Sequence, residues 1–279
     1  MLDTITPMEP TLHAACDDDG VATVTLHHPA RRNAMTPAMW RRLPPLLEEL
    51  AADPRVRVLV LTGAEGTFCA GADITALHEA AGQGPRTPAP ETAGDAAWHR
   101  GAVHTQQSLA VAAEEALAAF PRPTLAAVHG HCVGGGCQLA AACDLRFASD
   151  DALFGVTPAK LGIVHAASST ERLVRLVGPA TTKYLLYSGE LIDAARALRT
   201  GLVDEVHPAG ELDKRVADFA RTLTTRSALT QAAAKEFADG RTGPDRVAHW
   251  QREAAAAGEA AEGVAAFLER RAPRFRWGR

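Results

Sequence analysis

Two short segments of this 279-residue chain gather small residues beside polar groups. The first is Thr67-Phe-Cys-Ala-Gly-Ala-Asp73, and the second is His129-Gly-His-Cys-Val-Gly-Gly-Gly-Cys-Gln138. Small side chains leave backbone N–H groups uncovered and let a ligand come close. A helix opening at Gly134–Gly136 would also aim its positive end at that ligand. Two such amides converging on one carbonyl oxygen would make an oxyanion hole, which stabilises negative charge as it develops there. Taken alone, three glycines can equally serve tight packing of a helix on a strand. They are accompanied by neither a GxGxxG dinucleotide fingerprint nor a GxxxxGK phosphate loop.

Both segments follow runs that read as buried strands. Val56–Thr62 is apolar and β-branched and leads to the first segment, and Thr124–Val128 leads to the second. Such runs suit strands covered on both faces. Upstream, 12–16 and 21–26 read as a hairpin around Asp17-Asp-Asp-Gly20. Thr36 caps a helix with Pro37 at its first position, running to about Ala52. Residues 81–95 form a Gly/Pro/Thr-rich loop, and a helix follows from about Ala96 to Phe120. Another helix runs from the triple glycine to about Ala142, then a strand over 144–148. The remainder is read as helical, with one short strand near Leu202–Val206. This alternation predicts an α/β fold, with a core over 11–206 and a helical part over 207–279.

The bulk properties exclude several functions. A net charge of -4 offers no footprint for nucleic acid or an anionic membrane. No run approaches the roughly 18 apolar residues of a membrane span, so no membrane association is expected. The N-terminal MLDTITPMEP has no basic start and no apolar core, so no signal peptide is expected. Cys16, Cys69, Cys132, Cys137 and Cys143 include no CxxC pair, so no metal site is expected and buried thiols are. A reducing cytoplasm fits these features.

The two segments together are more specific than either alone. FCAGADI at 68–74 followed by PTLAAVHGHCVGGGCQLAAACDLRFAS at 123–149 resembles the enoyl-CoA hydratase/isomerase (crotonase) superfamily. The likeness extends through HHPARRNAM at 27–35, LVRLVGPA at 173–180, YSGELIDAARALRTGLVDEV at 187–206 and AFLERRAPRF at 266–275. It implies a crotonase spiral of ββα repeats with a C-terminal helical trimerisation region, and a homotrimer or a dimer of trimers. It also implies an acyl-CoA substrate, with no cofactor beyond the CoA of the thioester. By the family pattern the oxyanion-hole amides belong to Ala72 and Gly135. CoA would run over 30–34 and 70–74, with Arg31, Ala34, Ala70, Asp73 and Ile74 as contacts. Phe267 and Arg270 resemble the C-terminal pair that touches the nucleotide end of CoA, often from a neighbouring subunit. As a packing alternative, Asp73 orders the 68–74 loop, Phe267 packs its helix and Arg270 is solvated.

The chain departs from the hydratase pattern at two positions. Hydratases place and activate one water with two glutamates, and the resemblance puts Gln138 and Pro158 where those stand. A carboxamide takes up no proton at useful pH, and proline offers no side-chain acceptor. Each lost acid/base group is worth on the order of 10²–10⁴ in rate. Thr157–His165 most resembles methylmalonyl-CoA decarboxylases, which carry tyrosine at the position of His165, and is also similar to naphthoate synthases. His165 is then the candidate acid/base, because an unperturbed imidazole titrates near pH 6.5. His131 is the second choice, and Glu171 and Lys160 read as charges on the surface or behind the residues that touch substrate. The expectation is an enzyme that stabilises a thioester enolate, of decarboxylase, isomerase or C–C lyase type. A hydratase with relocated acid/base groups and a non-catalytic acyl-CoA-binding protein are the alternatives.

Overall fold

The computed structural model of the chain describes residues 9–74 and 94–278, without most side chains between 94 and 106. The expected loop at 81–95 lies almost wholly outside the described residues. Strands β1 (Thr11–Cys16) and β2 (Val21–His27) pair antiparallel, as a hairpin. Asp17 Oδ1 accepts from the Val21 N–H at 2.8 Å and closes the turn. Helix α1 (Pro37–Ala52) starts at Thr36, whose hydroxyl accepts from the Met39 N–H at 3.2 Å. Its apolar stripe, Met39, Trp40, Leu43, Leu46 and Leu47, is buried. Strand β3 (Val58–Gly63), helix α2 (Gly94–Ala118) and strand β4 (Thr124–Val128) follow.

Beginning with β4, four successive strands alternate between two sheets; the next stays in the smaller one and the last returns to the larger. Strand β5 (His131–Val133) and helix α3 (Gly135–Ala142) complete one ββα unit. Strands β6 (Leu145–Ser149) and β7 (Leu153–Gly155), then helices α4 (Pro158–Leu161) and α5 (Ala167–Ser188), make the next. Helix α5 breaks at Gly178, where φ is +73° just before Pro179. Strand β8 (Ile192–Asp193), helix α6 (Ala194–Thr200) and strand β9 (Glu205–His207) follow. The larger sheet has the order β1-β2-β3-β4-β6-β9, parallel except at its β1 edge. The smaller has the order β5-β7-β8.

Alternation along the central strands divides the core between two faces. Leu59, Leu61, Ala126, Val128 and Ala148 face the cluster that contains α1 and α3. Val58, Val60, Leu125, Ala127 and Phe147 face Leu212, Val216 and Ala220 of helix α7 (Leu212–Thr224). The first helix past residue 207 thus covers one face of the sheet. Helices α8 (Ala228–Ala238), α9 (Pro244–Ala257) and α10 (Glu259–Leu268) extend beyond it.

The elements differ from the sequence reading in three places. The region after residue 148 holds β7 and β8 besides the expected strand, and β5 interrupts the glycine-rich segment. At two or three residues each, they carry too little sequence to show a period of two. The expected strand at 202–206 begins only at Glu205, because Leu202 and Val203 are buried in the turn that follows α6. Among the described residues no helix is long and apolar enough to cross a membrane, and no cluster of metal-binding side chains occurs.

Candidate active site

The exits of β3 and β4 meet through main-chain bonds. Phe68 and Cys69 N–H groups donate to the His129 and His131 carbonyls, each at 2.8 Å. The Val133 N–H returns a bond to the Cys69 carbonyl at 2.9 Å. Segment 70–73 is then zipped to segment 32–35. Ala70 N–H donates to Arg32 O at 2.9 Å, Met35 N–H to Gly71 O at 2.8 Å, and Asp73 N–H to Met35 O at 2.9 Å. Buried Asn33 supports this arrangement in the left-handed region, with φ +56°, which asparagine tolerates better than most residues. Its Nδ2 donates to the Ala64 and Thr67 carbonyls at 2.8 and 2.6 Å, and its Oδ1 accepts from the His28 N–H.

In this lattice the amides flanking Ala72 are used, whereas the Ala72 N–H donates to no backbone carbonyl among the described residues. The Gly135 N–H opens α3 and, as the first helical amide, has no partner within the helix. The two lie side by side: a Cβ built on Gly135 would stand 3.7 Å from the Ala72 nitrogen. The same Cβ would stand 2.8 Å from Cζ2 of Trp40, so only glycine fits against that ring. Gly136 is equally constrained, since a Cβ there would meet the Cys69 carbonyl oxygen at 2.3 Å. The triple glycine thus packs against Trp40 and Cys69 while the Gly135 amide stays unused within the helix.

A cavity of about 470 Å³ opens over these amides. Its wall contains Arg31, Ala34, Ala70, Ala72, Asp73, Ile74, Gly135, Gln138 and His165, all expected at the site. It also contains Trp40, Gln107, Ala110, Val156, Pro158, Leu161 and Ile163, and at its exposed rim Lys160. Phe267 and Arg270 do not line it in this chain; Phe267 is 82% exposed near the end of α10. His131 is also outside the wall, where Arg32 Nη1 approaches its Nε2 at 3.4 Å. Glu171 pairs with Arg175 at 3.7 Å on the surface.

His165 sits in the loop between α4 and α5. The Thr170 hydroxyl donates to the Ala166 carbonyl at 2.8 Å, so it can only accept from His165 Nδ1, at 3.0 Å. The proton of the neutral ring is thereby assigned to Nδ1, and Nε2 is left with a free lone pair. That Nε2 is buried and has no partner. Burial lowers the pKa of the ring, against a smaller upward pull from the Ala166 backbone, so it is neutral at pH 7. Trp40 Nε1 is a second buried, unpartnered polar atom on a residue of the cavity wall.

Gln138 is held from behind by a buried network. Its Nε2 donates to Ser169 Oγ at 2.9 Å and to Glu114 Oε2 at 3.3 Å. Glu114, 1% exposed, also accepts from the Ser169 hydroxyl and pairs with Arg172. Burial raises the Glu114 pKa, opposed by Ser169 and Arg172. Nothing in the sequence distinguishes Glu114 from its neighbour Glu115. Cys69, Cys132, Cys137 and Cys143 are buried, unbridged thiols; Cys69 lies against Gly136, whereas Cys143 lines a separate cavity at the far end of α3. Burial pushes Cys69 and Cys143 up to about 12.

Fold and site together define an α/β protein of the crotonase type, with uncovered strand-exit amides beneath a single cavity. The enoyl-CoA hydratase/isomerase family pattern matches residues 17–277. The chain belongs to that family of acyl-CoA enzymes. A "Probable enoyl-CoA hydratase" of Mycobacterium tuberculosis is 34% identical over 269 residues, covering 92% of this chain and 95% of that protein. The 2,3-dehydroadipyl-CoA hydratase of Escherichia coli is 33% identical over 265 residues, covering 92% and 95%. A crystal structure of an enoyl-CoA hydratase/isomerase family member superposes with a TM-score of 0.83 at 36% identity, covering 98% of each chain.

Proposed function

We propose that this protein binds an acyl-CoA thioester with its carbonyl oxygen between the Ala72 and Gly135 amides and works through the resulting enolate. Two backbone donors aimed at one oxygen stabilise charge that appears only as the enolate forms. They cannot move a proton to or from carbon. The neutral ring of His165 in the wall of the same cavity, with a buried Nε2 that has no partner, is the observation that carries the assignment of that step. It takes a proton from the substrate, or returns one to the enolate after Nε2 has been protonated. Asp73 is the one carboxylate in the wall among the described residues, and its backbone is tied into the 32–35 zipper. That wall favours decarboxylation, isomerisation or C–C cleavage over hydration by a carboxylate pair.

Hydration is the second reading, favoured by the names of the relatives. In it, a water held by Gln138 and His165 would replace the two-glutamate arrangement. Exposed Phe267 and Arg270 fit a role against CoA of a neighbouring subunit, in a homotrimer or a dimer of trimers. Calorimetry with a panel of acyl-CoAs, including acetoacetyl-CoA, is expected to show binding, and mass analysis of the products reads the reaction. Absence of binding to every thioester overturns the assignment of the site.

A further inference from the structure

We propose that Gln107 is a positioning residue, which latches segment 162–166 over His165 so that Nε2 meets a substrate only when the latch is released. The inference rests on the acyl-CoA reading above and deepens it by naming what controls the acid/base group of that site.

Two facts about His165 pull in opposite directions. The ring belongs to the cavity wall, yet its Nε2 is closed to solvent and has no partner. A buried acceptor without a donor is a standing cost, which a movement that wets it relieves. The segment that carries the ring has little else to hold it. Val164 is 83% exposed, so packing of its side chain anchors nothing. Among the described residues, the main chain at Val164 and His165 makes no bond to another backbone group. One bond reaches it from a distant element: Gln107 Nε2, on α2, donates to the Val164 carbonyl.

Both flanks of the segment are fixed. Helix α4 is held where the Lys160 methylenes lie over Gly189, 3.1 Å from a Cβ built there. Helix α5 is anchored by buried Ser169, Leu173 and Val177. Between them Gly162 has φ +66°, and a Cβ there would meet nothing within 4 Å, so the chain can turn at that point without a clash. The Nδ1 proton stays on the Thr170 hydroxyl, in the first turn of α5. A swing about that bond brings the proton-free Nε2 outward, in the tautomer that proton transfer needs.

The test is the rate at which diethyl pyrocarbonate carbethoxylates His165 in the full chain, read by peptide mass analysis. The reagent needs an imidazole nitrogen with a free lone pair, so it reports exposure of Nε2. Gln107→Met keeps the length and neutrality of the side chain and removes the donor. Losing one neutral hydrogen bond should raise the open-to-closed ratio, and with it the rate, by about tenfold. A merely space-filling role predicts no change, because methionine fills the same space. Val164→Ala keeps the carbonyl and should keep the wild-type rate. Exposed His13 is the internal standard and should react alike in all three proteins. The open ring also escapes the burial that lowers its pKa, so its NMR titration in Gln107→Met should move up toward 6.5. Should Gln107→Met fail to fold, Gln107→Leu carries the same test. A rate within about twofold of wild type in the Gln107 variant, or an equal rise in Val164→Ala, overturns the latch. Thioester binding by the wild type, measured separately by calorimetry, decides the acyl-CoA reading on its own.

Discussion

Replacing Gly135 by alanine tests the site at its tightest point. The new methyl would stand 2.8 Å from Cζ2 and 3.1 Å from Cη2 of Trp40. Restoring an ordinary carbon–carbon contact of roughly 3.5 Å requires a shift of about 0.7 Å. Trp40 is fully buried on α1, and its neighbours leave it little room to retreat. Overpacking of this kind costs about 1–3 kcal/mol. At roughly 2–4 °C per kcal/mol for a chain near this size, Tm should drop by about 2–12 °C. If the start of α3 moves instead, the Gly135 N–H is displaced from its place beside the Ala72 amide. A displacement approaching 1 Å at a reacting group costs on the order of 10² in rate. Turnover of whichever thioester the panel identifies should therefore fall by about 10²-fold, measured well below the variant's Tm. Gly210→Ala is the control, because a Cβ there meets nothing within 4 Å, and it should stay within about 0.5 kcal/mol of wild type. A Gly135→Ala protein with Tm within about 1 °C of wild type and turnover within twofold would refute the reasoning.

His165→Ala should lower turnover by about 10²–10⁴ and change thioester affinity little, as read from kcat and a direct binding measurement. Because burial holds the His165 pKa below its ordinary 6.5, the acid limb of kcat/KM should lie below pH 6.5 and disappear in the alanine variant. The same shift acts on stability: the unfolded chain takes up this proton first, so the stability present above pH 6.5 is lost progressively as pH falls below it. Hydration of crotonyl-CoA should be negligible beside that of a two-glutamate hydratase, and Gln138→Glu with Pro158→Glu should restore part of it. Restoration requires α4 to tolerate loss of the fixed φ at its first residue; efficient hydration by the wild type would contradict the reading.

What the sequence made legible were features written in consecutive residues. The Thr36-Pro37 helix start, the Asp17–Gly20 turn and the strand at 124–128 depend on local rules and stand as read. The small residues of the two strand exits could be seen because they are contiguous. Trp40 could not be placed against Gly135, since its position depends on how α1 lies over α3, nearly a hundred residues later. Glu114 meets Ser169 and Arg172 across separations of 55 and 58 residues. In an alanine-rich helix, nothing nearby marks which of two adjacent glutamates turns inward. Asn33 is similar: its identity is ordinary, and only its positive φ and three main-chain bonds reveal a clamp.

The buried thiol beneath the site gives it a chemical clock. Alkylating reagents react with thiolate, and a thiol held near 12 is almost wholly protonated at neutral pH. Cys69 is also closed to solvent, under Gly136, so reagent reaches it only when the floor of the cavity opens. Its labelling rate thus counts excursions of that floor, much as amide exchange counts openings elsewhere in a protein. Cys16, on the hairpin edge and partly exposed, marks the fast end of the same scale. A ligand seated over Ala72 and Gly135 would slow the clock at Cys69 while leaving Cys16 at its own pace, so occupancy becomes readable in mass increments without any turnover.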